Sequence, residues 1–424
     1  MDTLTITPLK APVTASVRIP GSKSYTNRAF IMAALTDGTV AIKNALESDD
    51  TTAMIRCLTQ LGIPVKSEGG SIEISGGVAK IADGTFDLDC DISGTTIRFL
   101  TALATVVPGV KTLYGKEGLN KRPIAELVDG LRQLGADITY INKEGFPPVR
   151  VNSRHLSPGE VSMNGDVSSQ FFSALLMITP LVGGVTITVD GDQISKPYID
   201  MTIDTMKEFG VTVHNDSYTS YTVPAGQTYS KNEYSVEADV SSASYFAAIA
   251  ALTHSTITLE NMNPHSMQAD MRFLKILERM GAEIIPGEYS ITVKGHGVKA
   301  LEANMENCPD QAQTLAVLAA FAPGVTHMTG VRSLRVKETE RVVAVEQELA
   351  KMGIKTESTH DTLTVYGGDP KPARIDTYGD HRMAMSFAVA GTILPGLEIK
   401  EPQVVQKTFP DFWKRLSSIG VTVA

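Results

Sequence analysis

Two helical patterns alternate along the chain. One is apolar almost all round: NRAFIMAAL, TTIRFLTALA, QFFSALLMI, ASYFAAIAAL, TLAVLAAFA and RMAMSFAVAG. A helix with no wet face must be buried. The other repeats apolar residues at i, i+3 and i+4 and ends on glycine, so one face packs and the other is wet. It reads MIRCLTQLGIPV at Gly62, LVDGLRQLGADI at Gly135 and DTMKEFGVTV at Gly210. It recurs as FLKILERMGAEI at Gly281, EQELAKMGIKT at Gly353 and FWKRLSSIGVTV at Gly420. Successive glycines are 73, 75, 71, 72 and 67 residues apart by subtraction. Each stands where a helix C-cap takes the left-handed conformation.

A short strand lies between the two helices of each unit: TVAIKNAL, VKTLYG, VTITVDG, STITLEN, VTHMTGV and LEIKEP. A hairpin follows each capping glycine, as in GIPVKSEGGSIEIS and GAEIIPGEYSITV. The pattern therefore predicts an α/β (α+β) protein of six repeated units. The sixth unit reaches Ala424 without its second hairpin strand, and a spare strand, TASVRIP, precedes the first. The N-terminal strand is expected to complete the sixth unit. Three plus three units give two similar domains: 21–237, and 238–424 with 1–20. One continuous solenoid is the alternative arrangement, but buried helices favour closed cores.

Composition narrows the class. Of 424 residues, 42% are hydrophobic and 20% charged, which suits a globular protein with a substantial core. There is no apolar run of membrane-spanning length, and MDTLTITPLK lacks a signal-peptide pattern. Three cysteines, Cys57, Cys90 and Cys308, cannot make a disulfide framework, so a cytoplasmic home is expected. The net charge of −9 argues against nucleic acid as a partner.

Polar residues collect where each buried helix begins: Gly21-Ser22-Lys23-Ser24, Ser93-Gly94-Thr95-Thr96, Val167-Ser168-Ser169-Gln170, Asp239-Val240-Ser241-Ser242, Pro309-Asp310-Gln311 and Gly379-Asp380-His381-Arg382. N-capping accounts for many of them. It does not account for Lys23, Arg28, Arg98 and Arg382, cations near the positive end of a helix dipole. An anion at those ends would make the arrangement favourable. The loops before the amphipathic helices form a second polar set, including Asp49, Arg122, Ser195, Tyr198, Lys337, Glu338 and Lys407. Equivalent loops lie at one end of equivalent units, so both sets are expected to meet in a cleft between the domains. Eight cations (Lys23, Arg28, Arg98, Arg122, Lys337, Arg341, Arg382, Lys407) less three carboxylates (Asp49, Asp310, Glu338) leave +5 there. Such a site suits small polyanions. GSKS at 21–24 is not a P-loop, because the preceding glycine spacing is missing, and no metal-ligand spacing occurs.

PGSKSYTNRA, SGTTIR, KRPI, VSSQF, SKPYID, SSASY, VKETER, GDHRMAM and KTFPDF occur in that order along the chain. Together they resemble the 5-enolpyruvylshikimate-3-phosphate synthases, over the whole chain. The resemblance implies two domains of three βαβαββ units each and a site in the interdomain cleft. It implies transfer of the enolpyruvyl group of phosphoenolpyruvate to the 5-hydroxyl of shikimate 3-phosphate, with no cofactor and no metal. The partners implied are those two small molecules, with no membrane, and the protein is expected to be a monomer. By matching positions, Lys23, Ser24, Arg28, Ser168, Ser169, Gln170, Ser195, Tyr198, Asp310, Ser333 and Lys337 would hold shikimate 3-phosphate. Lys23, Gly94, Arg122, Gln170, Arg341, Arg382 and Lys407 would hold phosphoenolpyruvate. Asp310 resembles the base, and Glu338 or Lys23 the proton donor, while Asp49, Arg98 and His381 would support the site. Ile92, Phe99 and Ser333 depart from the family pattern, the first two expected beside the phosphoenolpyruvate pocket, where they bear on inhibitor sensitivity. Two rival readings are a UDP-N-acetylglucosamine enolpyruvyl transferase, which needs a reactive loop cysteine, and a non-catalytic anion-binding protein of the same fold.

Overall fold

The computed structural model describes residues 3–68 and 70–424. The chain divides into two compact units, one of Gly21–Val236 and one of Met1–Pro20 with Glu237–Ala424. Each has its own hydrophobic core.

The Gly21–Val236 unit carries α1 (Lys23–Leu35), α2 (Asp49–Gln60), α3 (Gly94–Val106), the short α4 (Glu117–Asn120), α5 (Ala125–Gln133), α6 (Ser169–Val182) and α7 (Lys196–Glu208). The other unit carries α8 (Val240–Thr253), α9 (Met271–Met280), α10 (Ala312–Phe321), α11 (Arg341–Lys351), α12 (His381–Gly391) and α13 (Phe412–Ser418). The all-apolar patterns became α1, α3, α6, α8, α10 and α12, which are buried along nearly their whole lengths. The amphipathic patterns became α2, α5, α7, α9, α11 and α13.

Six four-stranded sheets are formed by the described residues, all with one pattern. In the second repeat, Thr85–Asp89 runs parallel to Val110–Tyr114, with α3 as the crossover. A parallel pair needs a connection of about a dozen residues or more, and the buried helix supplies it. Val110–Tyr114 then pairs antiparallel with Val149–Asn152, which pairs antiparallel with Asp137–Tyr140.

In each unit the chain's ends fill gaps in its sheets. The strand Glu233–Ser235 returns to lie parallel to the first repeat's Thr39–Lys43. The spare strand read from TASVRIP behaves differently from the sequence expectation. Thr14–Arg18 runs parallel to Thr256–Glu260 and so begins the fourth repeat. The sixth repeat is completed by the preceding strand, Thr3–Thr7, antiparallel to Leu397–Lys400 and to Thr422–Val423. The reason is topological. The fourth repeat's buried helix begins just past the residue where the chain re-enters this unit, so its parallel partner must come from before the departure. The prolines Pro8 and Pro12 separate the two N-terminal strands and let each join a different sheet. No helix among the described residues is long and apolar enough to cross a membrane.

Candidate active site

Each unit gathers its own share of the polar residues. In Gly21–Val236, Lys23 opens α1, and its Nζ lies 3.0 Å from Asp50 Oδ2. The sequence reading placed Asp49 here, and the structure corrects it. Ser48 ends the preceding loop and α2 starts at Asp49, so neighbouring positions diverge by about 100°. Asp49 consequently faces solvent, while Asp50 turns inward and is buried. The cation at the head of α1 thus has a carboxylate of the protein beside it.

Arg28, one turn further along α1, is 2% exposed. Its Nε donates to Thr202 Oγ1 at 2.7 Å, Nη1 to the Ser24 carbonyl at 2.9 Å, and Nη2 to the Tyr198 carbonyl at 2.9 Å and Ser173 Oγ at 3.3 Å. It ties α1 to α6 and α7, and its guanidinium lies over the Phe99 ring. Burial lowers its pKa to about 10, so it stays charged at neutral pH. Phe99 itself is fully buried in the core under Arg28. Phe99, expected beside the phosphoenolpyruvate pocket, thus packs under Arg28.

Ser93 caps α3 by accepting from Thr96 N, and Ser168 caps α6 by accepting from Gln170 N. Arg98 Nη1 donates to Gln170 Oε1 at 2.6 Å, and Gln170 Nε2 to Thr95 Oγ1 at 3.1 Å. Arg98 thus fixes which way the Gln170 amide faces. Gly94, the first residue of α3, leaves room for Arg122, which packs against it with Nη1 2.5 Å from where a Cβ would stand. Ser195 precedes α7 at φ 52°, a strained value for a residue with a Cβ, and its hydroxyl does not cap the helix. Its carbonyl accepts from Tyr198 N at 3.1 Å. Ser169 is buried at the head of α6, and Ser24 and Tyr198 are half-buried.

The second cluster lies in the unit containing Glu237–Ala424. Asp310 sits on a single 3-10 turn, Pro309–Gln311, just before α10. Its Oδ1 accepts from Arg341 Nη1 at 2.8 Å and lies 3.7 Å from Lys337 Nζ. Its Oδ2 accepts from Arg382 Nη2 at 3.0 Å. Glu338 joins Arg341 at 2.8 Å through Oε2 and Lys407 at 3.2 Å through Oε1. Arg341, 1% exposed, also donates through Nε to Asp380 Oδ2 at 2.7 Å. Burial pushes the Asp310 carboxyl up, but the charges of Arg382, Lys337 and Arg341 outweigh it and hold the group well below the usual carboxylate range. Burial likewise disfavours the Arg341 charge, and Asp380, Glu338 and Asp310 more than reverse that.

Asp380 has one use beyond the capping that its position suggests. It caps α12 by accepting from Arg382 N at 2.8 Å, and it anchors Arg341. His381 is buried beside Asp380, with Nδ1 3.5 Å from Oδ1. Ser333 is half-buried in the turn Arg332–Val336. Tyr245, read from sequence as one more apolar position of α8, accepts from Arg382 Nη1 at 3.2 Å through its hydroxyl. Asp50 carried no sequence signal beyond a doublet, and Tyr245 none beyond an aromatic in a buried helix at the end of the SSASY motif. No group of three His, Cys, Asp or Glu among the described residues is arranged to hold a metal ion.

Six βαβαββ repeats in two units, with arginine, lysine and carboxylate side chains paired at several helix heads, define the class of fold to which the chain belongs. The family described as EPSP synthase (3-phosphoshikimate 1-carboxyvinyltransferase) matches residues 9–416, and the chain belongs to it. It is 40% identical to the 3-phosphoshikimate 1-carboxyvinyltransferase of Shewanella piezotolerans, covering 99% of this chain and 100% of the relative. It is 40% identical to that of Photobacterium profundum, covering 99% of each. An EPSP synthase structure from Acinetobacter baumannii superposes with a TM-score of 0.83 at 24% identity, over 100% of both chains, and so shares the fold.

Proposed function

We propose that the chain transfers the carboxyvinyl group of phosphoenolpyruvate to the 5-hydroxyl of shikimate 3-phosphate. The observation that carries this reading is Asp310, a carboxylate held between Arg341 and Arg382 in a chain that matches the family nearly end to end. The hydroxyl gives its proton to Asp310 as its oxygen bonds to C2 of phosphoenolpyruvate, while a proton is added to C3. The C2–O bond to phosphate then breaks as C3 loses a proton, and phosphate leaves. In this reading Lys23 or Glu338 supplies the C3 proton.

A carboxylate gripped by three cations is a weak base. In this reading, phosphoenolpyruvate supplies the correction. Its carboxylate and phosphate draw Arg341, Arg382 and Lys407 toward themselves, and the proton affinity of Asp310 rises as the hydroxyl arrives. Binding energy is then spent where the transition state needs it. Arg122 also serves phosphoenolpyruvate, and Ser168, Ser169, Ser195, Tyr198 and Lys337 serve shikimate 3-phosphate. A monomeric cytoplasmic enzyme needing no cofactor completes the reading.

The UDP-N-acetylglucosamine rival gains nothing from the thiols. All three are buried, and burial together with the neighbouring Cys57 pushes the Cys90 thiol well above its ordinary value. The test is to incubate the protein with phosphoenolpyruvate and either acceptor and weigh the product. A carboxyvinyl adduct of shikimate 3-phosphate alone is expected. An adduct of the nucleotide sugar alone would overturn the assignment.

A further inference from the structure

Asp270 is a buried carboxylate outside the residues so far given roles. It is 4% exposed and stands immediately before α9. Ser241 Oγ, in the first turn of α8, donates to Asp270 Oδ2 at 2.5 Å. The loop leading to Asp270 grips the same helix end a second time: Gln268 Nε2 donates to the Ala238 carbonyl at 2.7 Å, and Gln268 Oε1 accepts from Val240 N at 3.1 Å. Ser241 and Tyr245 are four residues apart and share one face of α8. Tyr245 presents its hydroxyl to Arg382, and Arg382 donates to Asp310. A continuous set of contacts therefore runs from Asp270 through one face of α8 to the Asp310 carboxylate.

We propose that Asp270 is a positioning residue for Arg382 and Asp310, acting through Ser241 and the Tyr245 hydroxyl on one face of α8. The proposal rests on the reading of Asp310 as the base. With Ser241 held, the first turn of α8 is fixed in rotation, and the Tyr245 hydroxyl meets Arg382 at one angle. Without it, the turn is freer to rotate, Arg382 loses a constraint, and Asp310 loses its alignment.

Charge supports the same role. The ionisable groups that act on Asp270 are Asp310, on the 3-10 turn, and Arg382, at the head of α12; the Cys308 thiol, just before that turn, feels the charges of Asp270 and of Arg272 on α9. Burial, then the charge of Asp310, pushes the Asp270 carboxyl up to about 6, with Arg382 and the Ser241 bond pulling the other way. Burial pushes the Cys308 thiol up to about 12, so it stays neutral. Asp270 is thus ionised at neutral pH and gains a proton as pH falls through about 6. At that point the field on Arg382 and Asp310 changes.

The test is steady-state kinetics of the full chain across pH 5–9 for wild type, Asp270→Asn, Ser241→Ala, Tyr245→Phe and Asp270→Asn/Tyr245→Phe. Asn keeps the shape but offers Ser241 only a neutral acceptor, weaker than the carboxylate, and cannot titrate. We expect Asp270→Asn to lower kcat about tenfold, with KM for shikimate 3-phosphate within about twofold, and to lose the wild-type inflection near pH 6. The double variant should fall no further than the worse single one, because both act along one line of contacts. An unchanged kcat and pH profile in Asp270→Asn, or fully multiplicative losses in the double variant, would overturn the proposal. If Asp270→Asn does not fold, Ser241→Ala decides alone: wild-type kcat there overturns it. Asp310→Asn separates the two readings. Full activity in that variant defeats the base assignment, whereas an inactive Asp310→Asn beside an unaffected Asp270→Asn defeats only the positioning role.

Discussion

A Cβ on Gly94 would stand 2.5 Å from Arg122 Nη1 and 2.7 Å from its Cζ. A Cβ does not approach another side chain that closely, so a methyl group at Gly94 must move the guanidinium. The Cβ is fixed to the first turn of α3, whereas the arginine side chain has rotamers to spare. Gly94→Ala should therefore raise KM for phosphoenolpyruvate about tenfold or more while KM for shikimate 3-phosphate stays within about twofold. Varying each substrate in turn checks this. Equal rises in both would mean that Arg122 does not serve phosphoenolpyruvate.

The Lys23–Asp50 pair makes the two neighbouring aspartates unequal. Asp50→Asn should lower kcat/KM by about tenfold to a hundredfold, since Lys23 loses the charge that orients its ammonium. Asp49→Asn, on the wet side of α2, should change it by less than about twofold. Comparable losses in both variants would contradict the placement of Asp50.

Asp310 engages Arg341 and Arg382, the cations proposed to hold phosphoenolpyruvate. Removing its charge should therefore abolish turnover without weakening phosphoenolpyruvate. Asp310→Asn is expected to lower kcat by about a hundredfold or more, with KM for phosphoenolpyruvate unchanged or lower. A large rise in KM at near-normal kcat would assign Asp310 to binding alone.

Lys111 gives a stability prediction separate from catalysis. It is fully buried beside the C-terminus of α3, where its Nζ donates to the Val107 carbonyl and to the Gly109 carbonyl. Burial lowers the amine from 10.5 to about 8, with Asp83 opposing weakly. Between those values the folded chain has released this proton and the unfolded chain retains it. The unfolded state binds more protons there, so stability rises with pH. Urea unfolding should show wild type gaining on Lys111→Met as pH goes from 8 to 10. A constant or shrinking difference would mean that the amine stays charged in the fold.

Much of this was legible in the sequence because repetition amplified weak signals. One amphipathic helix ending in glycine says little, but six of them locate every repeat, and the structure realises each as a four-stranded sheet with its helices. Lys23, Arg28, Arg98 and Arg382 could be picked out because cations have no reason to sit at buried helix heads without partners, whereas Asp310, Glu338, Arg341 and Lys407 were singled out by motif resemblance and by the loops before the amphipathic helices. What the sequence could not supply was direction. Choosing Asp50 over Asp49 depends on the helix phase, which a boundary shift of one residue reverses. The joining of Thr3–Thr7 to the sixth sheet and Thr14–Arg18 to the fourth depends on tertiary pairing between residues hundreds of positions apart. Tyr245 looked apolar because its ring is packed, and only the Arg382 contact shows that its hydroxyl is used.

The most direct test of the proposed reaction is release of inorganic phosphate when the protein meets phosphoenolpyruvate and shikimate 3-phosphate. Phosphate should appear in step with a carboxyvinyl product when both are present, and neither substrate alone should yield more than one equivalent per enzyme. Folded protein that releases no phosphate with both substrates, or releases it continuously from phosphoenolpyruvate alone, would contradict the account.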